Sequence, residues 1–176
     1  GYNKVDPTTK TITIGVEGNV INFYYTKKND LSYVVNYYEE NTTNKIADSK
    51  VVTNQKYKDE IIEEAINIAG YNKVEPTTKT ITIGTEENII NFYYTKRTDL
   101  SYVVNYYEEN TTTKVAESKT VNGQTYLSSV TENAIDIPGY NKSGESTQSI
   151  TIGVSGNEII FYYTKKTDLS YIVRYL

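Results

Sequence analysis

The densest set of groups able to move a proton in this sequence is Asp59, Glu60, Glu63 and Glu64. Paired carboxylates can serve as general acid and base. An internal copy of the same segment, however, carries Ser128, Ser129, Glu132 and Asn133 at the aligned positions, so a catalytic pair would exist once only. A solvated acidic face is the simpler account, and the chain reads as non-enzymatic. The sequence has no Cys, His, Met or Trp, which excludes Cys-His and Ser-His relays, Zn sites of the usual kind, haem and Fe-S ligation, and disulfides. Glu39-Glu40 and Glu86-Glu87 lack the Asp-x-Asp-x-Asp-Gly frame of a calcium loop. No cofactor and no metal is expected.

Two other chemistries remain. A Lys-Asn isopeptide cross-link needs a buried Lys, an Asn and a carboxylate together, and Lys50 beside Asn36 and Lys119 beside Asn105 are the candidate pairs. The more distinctive feature is the 19 Tyr among 176 residues. Tyr33, Tyr37 and Tyr94, with Tyr102, Tyr106 and Tyr163, fall on the inward side of alternating strands. Tyr38, Tyr93, Tyr107 and Tyr162 fall on the outward side, next to Asn36, Asn91 and Asn105. Aromatic faces with amide neighbours suit a sugar ring, through CH-to-π stacking and hydroxyl hydrogen bonds. These seven residues are therefore the candidate ligand contacts. The competing account is that the outward rings pair across strands and stiffen the sheet, at about 0.2–1 kcal/mol each.

The elements that must position them follow from pattern. LSYVVNYY from Leu31 alternates and is rich in aromatic and β-branched residues, which predicts a strand. Glu39 to Asn44 is turn material, and Lys45 to Val52 returns as a more polar edge strand. Tyr57, Ile61, Ile62, Ala65 and Ile66 recur at helical spacing, predicting a short amphipathic helix, and Ser129 with Glu132 has capping-box spacing in the second copy. Tyr71 to Val74 and Thr78 to Ile83 read as a strand broken by Pro76, and NIINFYYT from Asn88 as the last strand. The order strand, strand, helix, strand, strand predicts an α+β fold: a β-grasp (ubiquitin-like) ββαββ unit with a mixed four-stranded sheet, its first and last strands central and parallel.

That unit recurs. GYNK begins at Gly1, Gly70 and Gly139 and DLSY at Asp30, Asp99 and Asp168, a period of 69. Residues 31–99 match 100–168 at 42 positions of 69, and residues 1–38 match 70–107 at 32 of 38. The expected organisation is the C-terminal part of a repeat (1–27), complete repeats at 30–96 and 99–165, and the first strand of another (168–176). A start at Gly1 rather than Met suggests a processed or internal segment. The net charge of -4 argues against nucleic acid, and no apolar run reaches the length of a membrane span.

The Tyr-x-Val-x-Tyr opening (Tyr33, Val35, Tyr37 and Tyr102, Val104, Tyr106), the Gly-Tyr at Gly70-Tyr71 and Gly139-Tyr140, and the closing Phe92-Tyr93-Tyr94 and Phe161-Tyr162-Tyr163 give the chain its family resemblance. In that order and spacing it resembles MucBP repeats, the mucin-binding-type modules of Gram-positive surface proteins. The resemblance implies a β-grasp-like module, an extracellular location on the cell wall of a Gram-positive bacterium, and adhesion to host mucin or related glycoproteins. The alternative is a stalk or fibre-forming array whose repeats, in contact with their neighbours along the chain, project a separate binding domain from the cell wall. Glu39-Glu40-Asn41 and Glu108-Glu109-Asn110 stand where the family has an Asp-Gly turn.

Overall fold

A computed structural model describes all of residues 1–176 and contains no helix. Its strands are β1 (Tyr2–Lys4), β2 (Tyr25–Lys27), β3 (Leu31–Glu39), β4 (Lys45–Gln55), β5 (Glu60–Glu64), β6 (Tyr71–Lys73), β7 (Thr78–Thr82) and β8 (Ile89–Lys96), followed by β9 (Leu100–Glu108), β10 (Lys119–Gln124), β11 (Ser129–Asn133), β12 (Tyr140–Ser143), β13 (Thr147–Thr151) and β14 (Glu158–Lys165). The chain forms two compact units, Gly1–Ile68 with Asn72–Thr95, and Ala69–Tyr71 with Lys96–Leu176.

In the first unit the four-stranded sheet runs β4-β3-β8-β6. β3 and β8 are parallel at its centre, in register from Val34 opposite Ile89 to Glu39 opposite Tyr94, and β4 is antiparallel to β3. Alternation sorts the side chains as the pattern requires. Tyr33, Val35, Tyr37, Ile90, Phe92 and Tyr94 are all buried, whereas Ser32, Ile89 and Tyr93 are exposed. β1 and β2 form a separate antiparallel pair.

The expected helix is absent, which corrects the α+β β-grasp reading to an all-β one. Residues 60–64 form β5, paired antiparallel with β7 from Glu60 opposite Thr82 to Glu64 opposite Thr78. The second copy repeats this with β11 and β13, so Ser129 and Glu132 lie in a strand and cap nothing. The physical reason lies in which residues turn inward. Glu63 and Ala65 are buried, while Ile62 is 68% exposed and Ile66 43%. The helical stripe needed Ile62 and Ile66 inside and Glu63 outside; the strand reverses both, and two β-branched residues in a row favour it. The β5–β7 pair thus closes the inner sheet face. Ala65 and Ile83 join the core there, and the Tyr94 hydroxyl donates to the Ile66 carbonyl at 2.9 Å.

The second unit has the sheet order β10-β9-β14-β12, again with parallel central strands, β9 and β14. Its core comprises Leu100, Tyr102, Val104, Tyr106, Ala134, Ile152, Ile159, Phe161 and Tyr163. Each large side chain removed from water contributes about 1.5–3 kcal/mol, and with no Cys in the chain no disulfide adds to that. Residues 168–176, expected to open another repeat with a strand, carry none; Leu169, Tyr171 and Ile172 are exposed.

Tyrosine burial gives a pH-dependent prediction. Tyr33 and Tyr94, chiefly by burial, and Tyr102, chiefly by its bond to Glu132, are pushed up from 10.0 to about 12. Over that range the unfolded chain has released these protons and the folded chain still holds them, so stability falls as pH rises from about 10 towards 12. Tyrosinate absorbance from these rings should grow in step with loss of β-sheet circular dichroism. Their titration as ordinary phenols in an intact fold would contradict the packing described.

Candidate functional site

The outward face of each four-stranded sheet is where the candidate residues sit. In the first unit the parallel register sets Tyr38 beside Tyr93 and Asn36 beside Asn91. The Tyr38 and Tyr93 rings have centroids 6.2 Å apart and planes 30° apart, a stacked pair on the solvent side. Tyr93 is 38% exposed, and Tyr38 is half-buried. Two ammonium groups flank them: Lys45 Nζ lies 6.0 Å from the Tyr38 ring centre and Lys79 Nζ 5.5 Å from that of Tyr93.

The amides on this face are engaged within the sheet. Asn36 is only 8% exposed, and its Nδ2 donates to Asn91 Oδ1 at 2.9 Å while its Oδ1 accepts from Ser49 Oγ at 2.7 Å. Ser49 Oγ in turn accepts from Lys45 Nζ at 2.7 Å. Asn36 is therefore part of a hydrogen-bond chain across β4, β3 and β8, satisfied within the protein. The accessible chemistry on this face is rings and ammonium groups rather than the Asn36 amide.

The second unit repeats the plan. Tyr107 and Tyr162 are register partners, with Tyr162 41% exposed. Asn105, again 8% exposed, accepts from Ser118 Oγ and donates to Glu158 Oε1 at 2.5 Å, and Lys114 Nζ donates to Ser118 Oγ at 2.6 Å. Two open clefts end this face. One, of about 580 Å³, is lined by Arg97, Ser101, Val103, Asn105 and Glu158, and the other, of about 780 Å³, by Tyr162 and the turn Glu109–Thr113.

On the inner side lies a group that pattern reading assigned to solvent. Glu63 Oε1 accepts from the Tyr33 hydroxyl at 2.5 Å and from Lys50 Nζ at 2.6 Å, and Glu132 Oε1 from Tyr102 and Lys119, each at 2.6 Å. Burial pushes the Glu63 carboxyl up, but the bonds from Lys50 and Tyr33 outweigh it and hold it below its ordinary value. The Lys119 bond, then that of Tyr102, does the same for Glu132. A carboxylate held ionised by two donors is a clamp joining β3, β4 and β5, not a proton donor. Of the four acidic residues at 59–64, Glu63 alone has an acidic counterpart in the second copy. That identity, with Lys50/Lys119 and Tyr33/Tyr102, was the available signal.

The same geometry answers the isopeptide reading. Lys50 lies opposite Val35 in the β3–β4 register and reaches Glu63 on the inner side, whereas Asn36 bonds Ser49 and Asn91 on the outer side. Lys50 and Asn36 are thus on opposite faces. The intact mass should equal the sequence mass, and a loss of one ammonia per repeat would contradict this placement.

No family model matches the chain, and no curated protein matches it. Among solved structures, the type 2 repeat of the mucus binding protein MUB from Lactobacillus reuteri is similar, at 16% identity, covering 77% of this chain and 100% of that one, with a TM-score of 0.28. The crystal structure of Mub-RV is similar at 12% identity, covering 77% of this chain and 99% of that one, with a TM-score of 0.27.

Proposed function

We propose, from the sequence resemblance to MucBP repeats, that this chain is a non-enzymatic tandem-repeat segment of a bacterial surface adhesin, exposed outside a Gram-positive cell wall, whose outward tyrosine pairs contact mucin-type glycans. The observation that carries the ligand class is the Tyr38–Tyr93 ring pair on an exposed sheet face; in the second unit Tyr107 and Tyr162 hold the corresponding register positions. The exposed part of the ring pair offers apolar contact to the CH groups of a pyranose, and Tyr loses little side-chain entropy on contact. Lys45 and Lys114, each held by a serine on the same face, add donors for sugar hydroxyls. Each copy binds weakly, and repetition along one chain raises the avidity.

A spacer role is the second reading, favoured by one observation: Asn36 and Asn105, each only 8% exposed, are engaged in hydrogen bonds across the sheet. A mucin-coated biosensor surface separates the two. The chain should bind, single Tyr93→Ala or Tyr107→Ala variants should bind more weakly, and the combined Tyr38→Ala, Tyr93→Ala, Tyr107→Ala, Tyr162→Ala variant should lose binding while keeping its fold. No binding by the unaltered chain on any mucin glycoform supports the spacer.

A further inference from the structure

The Gly-Tyr that opens each GYNK segment makes a corner which, where complete, receives a tyrosine ring from further along the chain. In the second unit, a Cβ on Gly70 would collide with the Tyr126 ring, and the Tyr71 and Tyr126 rings meet edge-to-face at 5.4 Å and 77°. The backbone fixes the approach: Arg97 N donates to Gly70 O at 2.9 Å and Tyr126 N to Arg97 O at 2.8 Å. In the first unit Gly1, Tyr2, Lys28 and Tyr57 reproduce each feature, with the same 5.4 Å and 77° and with hydrogen bonds of 2.9 Å. By contacts, Ala69–Tyr71 belong to the unit that contains Tyr126.

The third corner has the same backbone and no occupant. Gly139 has φ +84 against +83 at Gly70, and its carbonyl accepts from Lys166 N at 2.8 Å. A Cβ there would meet open space. Glycine is required at Gly70 twice over, by its left-handed φ and by the ring that rests on it; at Gly139 only the φ is accounted for within this chain.

We propose that the Gly139–Tyr140 corner is a preformed socket for one occupant, the tyrosine that stands at the Tyr126 position of a further copy of this repeat. Its ring would rest on the Gly139 α-hydrogen and meet Tyr140 edge-to-face, and its amide would donate to the Lys166 carbonyl, as Tyr126 does to Arg97. A copy of the same repeat fits because Gly139 leaves room for the ring, as Gly70 does for Tyr126, and Tyr140 and Lys166 stand where Tyr71 and Arg97 meet it.

The α-hydrogens report this directly, since a proton facing an aromatic ring is shifted upfield. In the chain as it stands, one Gly70 α-hydrogen should be shifted upfield and those of Gly139 should not, and Tyr126→Ala should abolish the Gly70 shift alone. In the same chain continued by one more 69-residue copy, a Gly139 α-hydrogen should move to the Gly70 position. It should return when the added tyrosine is changed to Ala. A Gly139 signal unmoved by the added copy overturns the proposal, as does a Gly70 signal that ignores Tyr126→Ala.

Discussion

Replacing Phe92 with Ala should cost about 3–5 kcal/mol. Phe92 is fully buried in the central strand β8, stacked on Tyr37 with ring centroids 6.3 Å apart and planes 12° apart. Truncation removes the ring from water-excluded surroundings and leaves a void that Tyr37 and Tyr94 fill only partly, because neighbouring ladder bonds hold β3 and β8 in register. Domains of this size have total stabilities of about 0.05–0.15 kcal/mol per residue, so the loss is a large share of what holds the first unit folded. Urea unfolding followed by tyrosine fluorescence checks it. Backbone amide signals of β3 and β8 should collapse, whereas those of β9 and β14, built around Phe161, should persist. A cost below about 1 kcal/mol, the scale of a surface change, would mean that Phe92 does not pack as described.

Glu63→Ala should cost about 2–3 kcal/mol at neutral pH, because it strands the Tyr33 hydroxyl among apolar side chains without an acceptor. Lys50 adds less, since its side chain is 48% exposed and can turn to water. The clamp also sets an acid dependence. Its carboxyl lies below the ordinary value of 4.5 in the folded chain, so the stabilisation is complete above that value and is lost as pH falls through the lowered one. The unaltered chain should therefore lose stability on acidification below about 4.5, and Glu63→Ala with Glu132→Ala should flatten that slope. Glu63→Gln keeps an acceptor for Tyr33 and should recover part of the loss without recovering the slope. An unchanged acid limb in the double variant would remove the clamp from the account.

The central parallel strands were legible because their alternation is clean: Tyr33, Val35 and Tyr37 against Phe92 and Tyr94 admit one inward face. The segment at 57–66 was not, because its apolar residues satisfy a period of 3.6 and the decisive inward residue is charged. Pattern reading assigns Glu63 to water; the structure places it inside because Tyr33 and Lys50 each supply a donor from another strand. A pairing of that kind joins positions thirty and thirteen residues apart, beyond the reach of any local window. The candidate site divides in the same way. Outward placement of Tyr38 and Tyr93 follows from the period of two, but engagement of Asn36 depends on Ser49 and Asn91, which the parallel register and the β4 register shift bring to it.

The most direct test of the glycan-contact account is a two-dimensional NMR titration of the whole chain with mucin-type oligosaccharides. The account predicts fast-exchange shifts confined to the outward face, at Tyr38, Tyr93, Tyr107 and Tyr162 and the adjoining Lys45 and Lys114, with the buried Tyr37 and Tyr106 rings unmoved. Saturating oligosaccharide that shifts none of these, or that shifts residues elsewhere, would contradict it.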